Sequence, residues 1–419
     1  MVADSSKYFG SFLIIFAVLL TVGRVLGELF RRWKQPAVMG ELIAGLILGP
    51  SILGNLFPEL FNSIFYASEN AQLAFDGIAR IAIILFLFIA GMEVHLADVI
   101  QRGKAAAKIS LSSILFPFAA GFAGIWFFYD HFFDSTTQPN KLLPALFIGT
   151  ALSITALSVL AKILFDLEMG RSRFGSLLLT AAMINDFVGW ILFSVVISLG
   201  EVQHENLGVW QTVIAVVIFT VGLLTIGRVA IDHLFGYVER TFKGPGVSLA
   251  LAIILCILGS LFTEWIGIHA IFGAFLTGVA VGDSKRFTDE AKETLHLFVV
   301  NLLAPLFFVS IGLRVNFIQD FDLFICFFIL IIASIGKLLG GFIGARLSGF
   351  KTNKAIAVGF AMNARGSMEI VLGMLALQAG IINEKVFVGL VVMTFVTILI
   401  AGPALRYFLN RHERLSPAI

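Results

Sequence analysis

Residues 177–192 read LLLTAAMINDFVGWIL, an apolar helix of membrane type with one carboxylate, Asp186, near its middle and Asn185 directly before it. A charged side chain at the centre of a spanning helix costs about 2.5–3.5 kcal/mol even on the mildest insertion scale, so an intramembrane acid is a functional candidate by default. The alternative is a protonated Asp186 that only hydrogen-bonds a neighbouring helix.

The rest of the chain has the same solvent in mind. Of its 419 residues 58% are hydrophobic and 13% charged, against about 25% charged in soluble domains. The expected class is an all-α polytopic membrane protein. A net charge of +2 gives no reason to expect a nucleic-acid partner. Cys256 and Cys326 lie inside apolar stretches and offer neither a disulfide framework nor metal-ligand spacing. The first residues, MVADSSKYFG, lack a basic n-region, and about ten residues follow Phe408. The expectation is therefore no cleaved signal peptide and no appended soluble domain.

A spanning helix needs about 20 apolar residues. Thirteen segments qualify: 9–31, 36–53, 77–97, 107–129, 142–165, 174–199, 209–236, 246–265, 268–283, 292–316, 322–349, 354–381 and 385–409. The second and ninth are short and glycine-rich, as tilted or broken helices are. With the N-terminus outside, every inside segment carries three Lys or Arg, from Arg31, Arg32 and Lys34 to Arg406, Arg411 and Arg414. No outside segment carries more than one. The positive-inside rule then gives an N-out, C-in topology.

The chain also repeats itself. AVMGELIAGLILG (37–49) lies over AIFGAFLTGVAVG (270–282), and LFLFIAGMEV (85–94) over LFFVSIGLRV (306–315). AGFAG (120–124) lies over GGFIG (340–344), and ALFIGTALSITA (145–156) over AIAVGFAMNARG (355–366). The offset is seven segments, an odd number, so the second copy is inverted in the membrane. Segments 1–6 and 8–13 form inverted repeats and segment 7 links them, the organisation of secondary transporters with midplane ion sites.

Two repeat-related segments carry polar groups where leucine is normal: Thr150, Ser153, Thr155 and Ser158 in one, Asn363, Arg365, Ser367 and Glu369 in the other. A helix interrupted at midplane leaves backbone groups that protein, water or an ion must satisfy. Two such breaks facing each other supply cation-coordinating carbonyls and helix ends of both signs; the alternative is that Ser and Thr only allow close packing. As a symmetry-related pair beside Asp186 they read as crossed broken helices at an ion site, with Ser153, Thr155 and Asn363 as coordinating positions. Lys337 is mid-helix in LIIASIGKLLGGF, and its repeat partner is Pro117, so its charge is not part of the general scaffold. Its place nine residues before Arg346 argues against snorkelling to the inner face. Arg365 and Glu369, four apart, read as a structural ion pair on one helix face. Glu41 reads as a partly hydrated structural carboxylate and His269 as a satisfied packing histidine.

These stretches together resemble a known family. ALSITALSVLAKILFDLEMGRSRFG and TAAMINDFVGWIL, within 151–192, with QPAVMGELIAGLILGPSILG (35–54), HAIFGAFLTGVAV (269–281), PLFFVSIGLRVN (305–316) and NARGSMEIVL (363–372), resemble the monovalent cation:proton antiporters. The likeness is to the second subfamily, which holds plant cation/proton exchangers and bacterial Kef-like and Na+/H+ antiporters. It implies the Na+/H+ antiporter fold and a homodimer. Residues 1–100 and 241–318 would form the dimerisation domain, and 101–200 and 319–410 the mobile ion-transport core. Residues 201–240 would be the linker helix and 411–419 a short cytoplasmic tail. The family's ion-binding aspartate maps onto Asp186, its neighbour onto Asn185 and the basic core residue onto Lys337. Electrogenic relatives often have Asp-Asp where this chain has Asn-Asp, and Kef-type efflux systems have Gln-Asp.

The expected activity is exchange of Na+ or K+ for H+ by alternating access, in a bacterial inner membrane, with no enzyme chemistry and no cofactor. Asp186 would hold the metal cation transiently, alternating with a proton. The alternatives are a sodium-coupled organic-anion symporter on a related fold, a Kef-like potassium efflux protein and a channel. An intramembrane aspartyl protease needs two midplane aspartates, and only Asp186 is there.

Overall fold

The computed structural model describes every residue except 1, 34, 95–102, 134–139, 168, 170–171, 202–208, 243–245 and 416–419. Lys34, Arg102, Arg171 and Lys243, used above for orientation, lie outside the described residues, as do the ends of the 77–97 segment and of the 411–419 tail. Among the described residues all regular structure is helical. The helices are α1 Val2–Arg32, α2 Ala37–Leu48, α3 Leu53–Leu56, α4 Pro58–Phe65, α5 Glu69–Met92, α6 Gly103–Phe132, α7 Leu142–Ser153, α8 Leu157–Asp166, α9 Arg173–Glu201 and α10 Val209–Gly222. They continue as α11 Arg228–Thr241, α12 Val247–Trp265, α13 Ala270–Gly282, α14 Asp289–Phe298, α15 Ala304–Arg314, α16 Leu323–Leu347, α17 Thr352–Met362, α18 Ser367–Gln378 and α19 Glu384–Leu415. Single π-helical turns, Leu223–Gly227 and Val299–Leu303, join α10 to α11 and α14 to α15.

Eleven of these helices or joined helices are long and apolar enough to cross a membrane, or twelve if α17 and α18, bent by 46° at their break, count as one span. The apolar α13 has 13 residues, about 20 Å of helix at 1.5 Å per residue, which is shorter than the hydrocarbon core.

The chain divides into two compact units. The first comprises residues 1–94 and 217–320. Its packing repeats the sequence repeat contact for contact. A side chain on Gly40 would strike the backbone carbonyl of Leu26, and one on its counterpart Gly273 would strike that of Gly259. Gly45 meets Val309 and Gly278 meets Phe88 in the same way. Lipid tails provide no hydrophobic drive for one helix to leave them for another, so close backbone approach at small residues supplies the association energy. Here the structure corrects one expectation. Glu41 is not partly hydrated: α1 closes over it where Gly27 admits its carboxylate, and it is 2% exposed. His269 caps α13, accepting from the Ile271 N–H at 3.3 Å.

The second unit comprises residues 95–216 and 321–419. It is built from two like sets, each a long helix, a broken helix and a second long helix: α6, α7/α8, α9 and α16, α17/α18, α19. A Cβ on Gly121 would lie 3.1 Å from Gly149 Cα, and one on its counterpart Gly341 would lie 2.8 Å from Gly359 Cα. Reciprocally, Gly149 meets the Phe118 carbonyl at 2.9 Å and Gly359 meets the Leu338 carbonyl at 2.8 Å. Both candidate broken helices lie in this unit.

Candidate functional site

The first break is Ile154–Thr155–Ala156, where the backbone turns extended (φ −79°, ψ 148° at Ile154; φ −72°, ψ 108° at Ala156). The second is 363–366, between α17 and α18. The two breaks meet. Ala156 N–H donates to the Ala364 carbonyl at 2.9 Å, and the Thr155 hydroxyl donates to the Met362 carbonyl at 2.8 Å. Glycine at 366 permits this approach, since a Cβ there would lie 2.7 Å from the Ala156 Cβ.

Breaking a helix exposes carbonyls at the end that stops and N–H groups at the end that restarts. With no solvent to satisfy them, each must find a partner. The stopping end of α7 is held by two buried basic side chains. Arg365 donates to the Ala151 carbonyl at 3.3 Å and to Leu152 at 2.7 Å. Lys337, fully buried on α16, donates to the Ser153 carbonyl and, at 2.7 Å, to the Thr155 hydroxyl. The partial negative charge at a helix C-terminus favours cations there.

The restarting end of α8 takes the opposite charge. Leu157 N–H, the first of that helix, donates to Asp186 Oδ2 at 3.3 Å. Asp186 reaches it because α9 packs tightly on the break: the absence of a side chain at Gly189, three residues on, leaves room for Ile154. Asp186 is 7% exposed and Asn185 is fully buried. Asn185 Oδ1 accepts from Lys337 at 3.4 Å, and its amide nitrogen donates to the Ser113 hydroxyl on α6 at 3.0 Å.

The restarting end of α18 is capped from within. Glu369 accepts from Gly366 N–H at 2.8 Å and lies 3.7 Å from Arg365, both side chains at 0% exposure. Thus the Arg365–Glu369 pair ties the start of α18 to the end of α7. Asn363 is 4% exposed, and its Oδ1 has no hydrogen-bond partner among the described residues. It is a spare buried oxygen beside the second break.

The candidates Asp186, Asn185, Lys337, Ser153, Thr155, Asn363, Arg365 and Glu369 therefore all lie at or beside the crossed breaks. Ser153 contributes its carbonyl, while its hydroxyl turns back to the Thr150 carbonyl at 2.7 Å. Two contributions were not anticipated. Arg365 caps α7 as well as pairing with Glu369, and Ser113 holds the Asn185 amide. Ser113 sits in SLSS, where nothing in the local pattern separates it from Ser110 and Ser112. No cluster of three or more His, Cys, Asp or Glu side chains able to hold a resident metal occurs among the described residues. The geometry is that of a buried acid and a buried lysine set on opposite ends of one interrupted helix.

Comparison with known proteins gives the same direction. The profile described as "Sodium/hydrogen exchanger, transmembrane" matches residues 13–411. The chain is 34% identical over 394 residues to the Na(+)/H(+) antiporter NhaS4 of Synechocystis, covering 92% of this chain and 94% of that one. It is 25% identical over 409 residues to the Na(+)/H(+)-K(+) antiporter GerN of Bacillus cereus, covering 97% and 98%. With the K(+)/H(+) antiporter 1 of Saccharomyces cerevisiae it shares 30% identity over 415 residues, spanning 46% of that protein, so it has about half the length of this relative. In fold it is like the sodium proton antiporter MjNhaP1 of Methanocaldococcus jannaschii, with a TM-score of 0.66 at 16% identity over 96% of this chain and 98% of that one. A profile match across nearly the whole chain, with a relative 34% identical over almost its full length, leaves one assignment: the chain belongs to the sodium/hydrogen exchanger family and is a secondary active cation/proton antiporter of the membrane, not an enzyme.

Proposed function

We propose that the protein exchanges Na+ or K+ for H+ by alternating access, with Asp186 as the group both ions share. The supporting observation is the pairing of Asp186 with the first N–H of α8 while Lys337 occupies the end of α7. A carboxylate oxygen that holds a proton cannot also carry the charge that binds a metal cation, so competition at one carboxylate couples the two fluxes. Hard monovalent cations suit oxygen ligands: Asp186, the Ser153 carbonyl, the Thr155 hydroxyl, the Asn185 and Asn363 amide oxygens, and water. Several of these accept from Lys337 in the present arrangement. The lysine stands where a cation would stand and leaves the carbonyls when one arrives. Arg365, tied to Glu369, stays.

Asn185 is neutral and cannot carry a second proton, so exchange through Asp186 alone is one for one and electroneutral. The chain crosses the membrane thirteen times in inverted repeats, α13 included, with its N-terminus outside and C-terminus inside, in a bacterial inner membrane. Residues 1–100 and 241–318 are the dimerisation domain of a homodimer. Residues 101–200 and 319–410 are the moving core and 201–240 the linker.

The test is dissipation of an imposed pH gradient in proteoliposomes by Li+, Na+, K+ and Rb+. Saturable dissipation by Na+ or K+, at a rate independent of an imposed membrane potential, is expected. A rate that rises steeply with potential would show that a second titrating group, Lys337 foremost, takes part. Flux of an organic acid, or large unitary currents, would replace antiport with a symporter or a channel.

A further inference from the structure

Ser113 stands outside both breaks, on α6, yet it touches the centre of the site. Its hydroxyl donates to the Ser110 carbonyl at 3.0 Å, so its one proton is committed. What it has left is a lone pair, and the Asn185 amide nitrogen donates to it at 3.0 Å. Asn185, Ser113 and Lys337 are all fully buried. An amide has a donor end and an acceptor end. Turned about, Asn185 would aim its NH2 at the Lys337 ammonium and its carbonyl at a hydroxyl oxygen whose proton is elsewhere. Both neighbours select one orientation, with the carbonyl oxygen toward Lys337 at 3.4 Å.

We propose that Ser113 is a positioning residue for ion exchange, its hydroxyl fixing the Asn185 amide so that an oxygen, not an NH2, faces the end of α7. Lys337 can impose this orientation only while it is present and charged. Ser113 imposes it throughout the cycle, including the step in which the lysine has given way to a cation. A cation entering then meets a preset oxygen. The orientation rests on the hydrogen bonds alone; its effect on cation affinity rests on the function proposed above.

The experiment compares wild type, Ser113→Ala, Ser113→Thr, Asn185→Ala and the Ser113→Ala/Asn185→Ala double variant in proteoliposomes. The readouts are half-saturating Na+ and K+ concentrations, maximal rates and melting temperatures with and without the ions. Ser113→Ala is expected to raise the half-saturating concentration about three- to tenfold, the range set by one buried hydrogen bond, with the maximal rate within about twofold. Ser113→Thr, which keeps the hydroxyl, restores the wild-type value. Added to Asn185→Ala, Ser113→Ala changes nothing more. Where Asn185→Ala is too slow to assay, the ion-induced rise in melting temperature gives the same comparison. Should Ser113→Ala fail to fold, Ser113→Cys, of similar volume and a poor acceptor, carries the same expectation. Wild-type half-saturation in Ser113→Ala, equal defects in the Ala and Thr variants, or an undiminished effect in the Asn185→Ala background would overturn the proposal. Asp186→Asn, run in parallel, separates the two claims. If it still exchanges ions, the proposed site is wrong, while the Ser113–Asn185 bond is still judged by additivity of the melting temperatures.

Discussion

The two breaks in the second unit are related by the internal repeat, yet they are satisfied differently. At the break between α7 and α8 the exposed backbone is met by side chains from elsewhere in the fold: Arg365 of the opposite break, Lys337 of α16 and Asp186 of α9. At the break between α17 and α18 it is met by the opposite break and by Glu369 of α18 itself. The long helices that follow the breaks differ likewise. Helix α9 carries Asn185 and Asp186, whereas α19 has no acidic residue between Glu384 and Glu413. Its buried Thr394 and Thr397 spend their hydroxyls on their own helix, at 2.8 and 2.9 Å. Lys337 is answered across the repeat by Pro117. Symmetry thus builds the crossing, and departures from symmetry place ionisable side chains from elsewhere in the fold on one side of it. On the proposed function, Lys337 and Asp186, bonded across the fold, are the groups whose bonds an ion displaces, whereas Arg365, anchored by Glu369, and the threonines bonded within α19 are scaffold.

This contrast can be broken in several ways. Arg365→Ala removes the cap on Ala151 and Leu152 and strands Glu369 as an unpaired buried charge. A loss of about 3–5 kcal/mol is expected, read as a collapse in melting temperature and yield; Arg365→Ala of wild-type stability would show that the pair is not structural. Glu369→Gln should cost less: it too leaves a buried charge without its counter-ion, but Arg365 keeps the Ala151 and Leu152 carbonyls and the amide oxygen still accepts from Gly366. Next comes Lys337→Met. It leaves the Ser153 carbonyl without its donor, at about 1–3 kcal/mol. Exchange should be impaired, with any residual activity remaining one for one if the lysine is a displaced occupant, and changing its response to membrane potential if the lysine titrates.

Thr155→Val deletes the hydroxyl that joins the breaks, with a smaller stability loss of about 1 kcal/mol but a clear rise in half-saturating cation concentration. Thr394→Val and Thr397→Val, the controls on α19, should change stability by about 0.6 kcal/mol or less and leave the cation dependence alone. Equal transport defects in Thr155→Val and Thr397→Val would erase the contrast. Direct competition also has a signature. As pH falls, protons displace the cation from Asp186, so the half-saturating cation concentration rises while the maximal rate, reached at excess cation, holds.

Much of this was legible in the sequence, for definite physical reasons. Close packing in lipid needs glycine at equivalent places in both copies, so Gly40 and Gly273, or Gly149 and Gly359, reveal the repeat. Asp186 stands out because nothing else acidic lies in its helix's apolar run. Interrupted helices announce themselves through Ser, Thr, Asn and Gly where leucine is usual. What could not be read was partnership at long range. Lys337 and Ser153 are 184 positions apart and Arg365 and Leu152 are 213 apart, and no local period links them. For the same reason Arg365 looked like half of an i, i+4 pair and nothing more. Glu41 is drier than its own segment suggests because the wetness of a carboxylate depends on which helix covers it, and hydropathy along α2 carries no information about α1.

The most direct measurement is cation-driven proton flux in proteoliposomes of purified Asp186→Asn, beside wild type at matched protein density. Asparagine keeps an oxygen for the Leu157 N–H and lightens the burden of a buried acid, so the variant should fold, melt no lower than wild type, and show no coupled exchange. Coupled exchange at the wild-type rate in Asp186→Asn would contradict the account, since the other acid beside the crossed breaks, Glu369, is held by Arg365 and the Gly366 N–H.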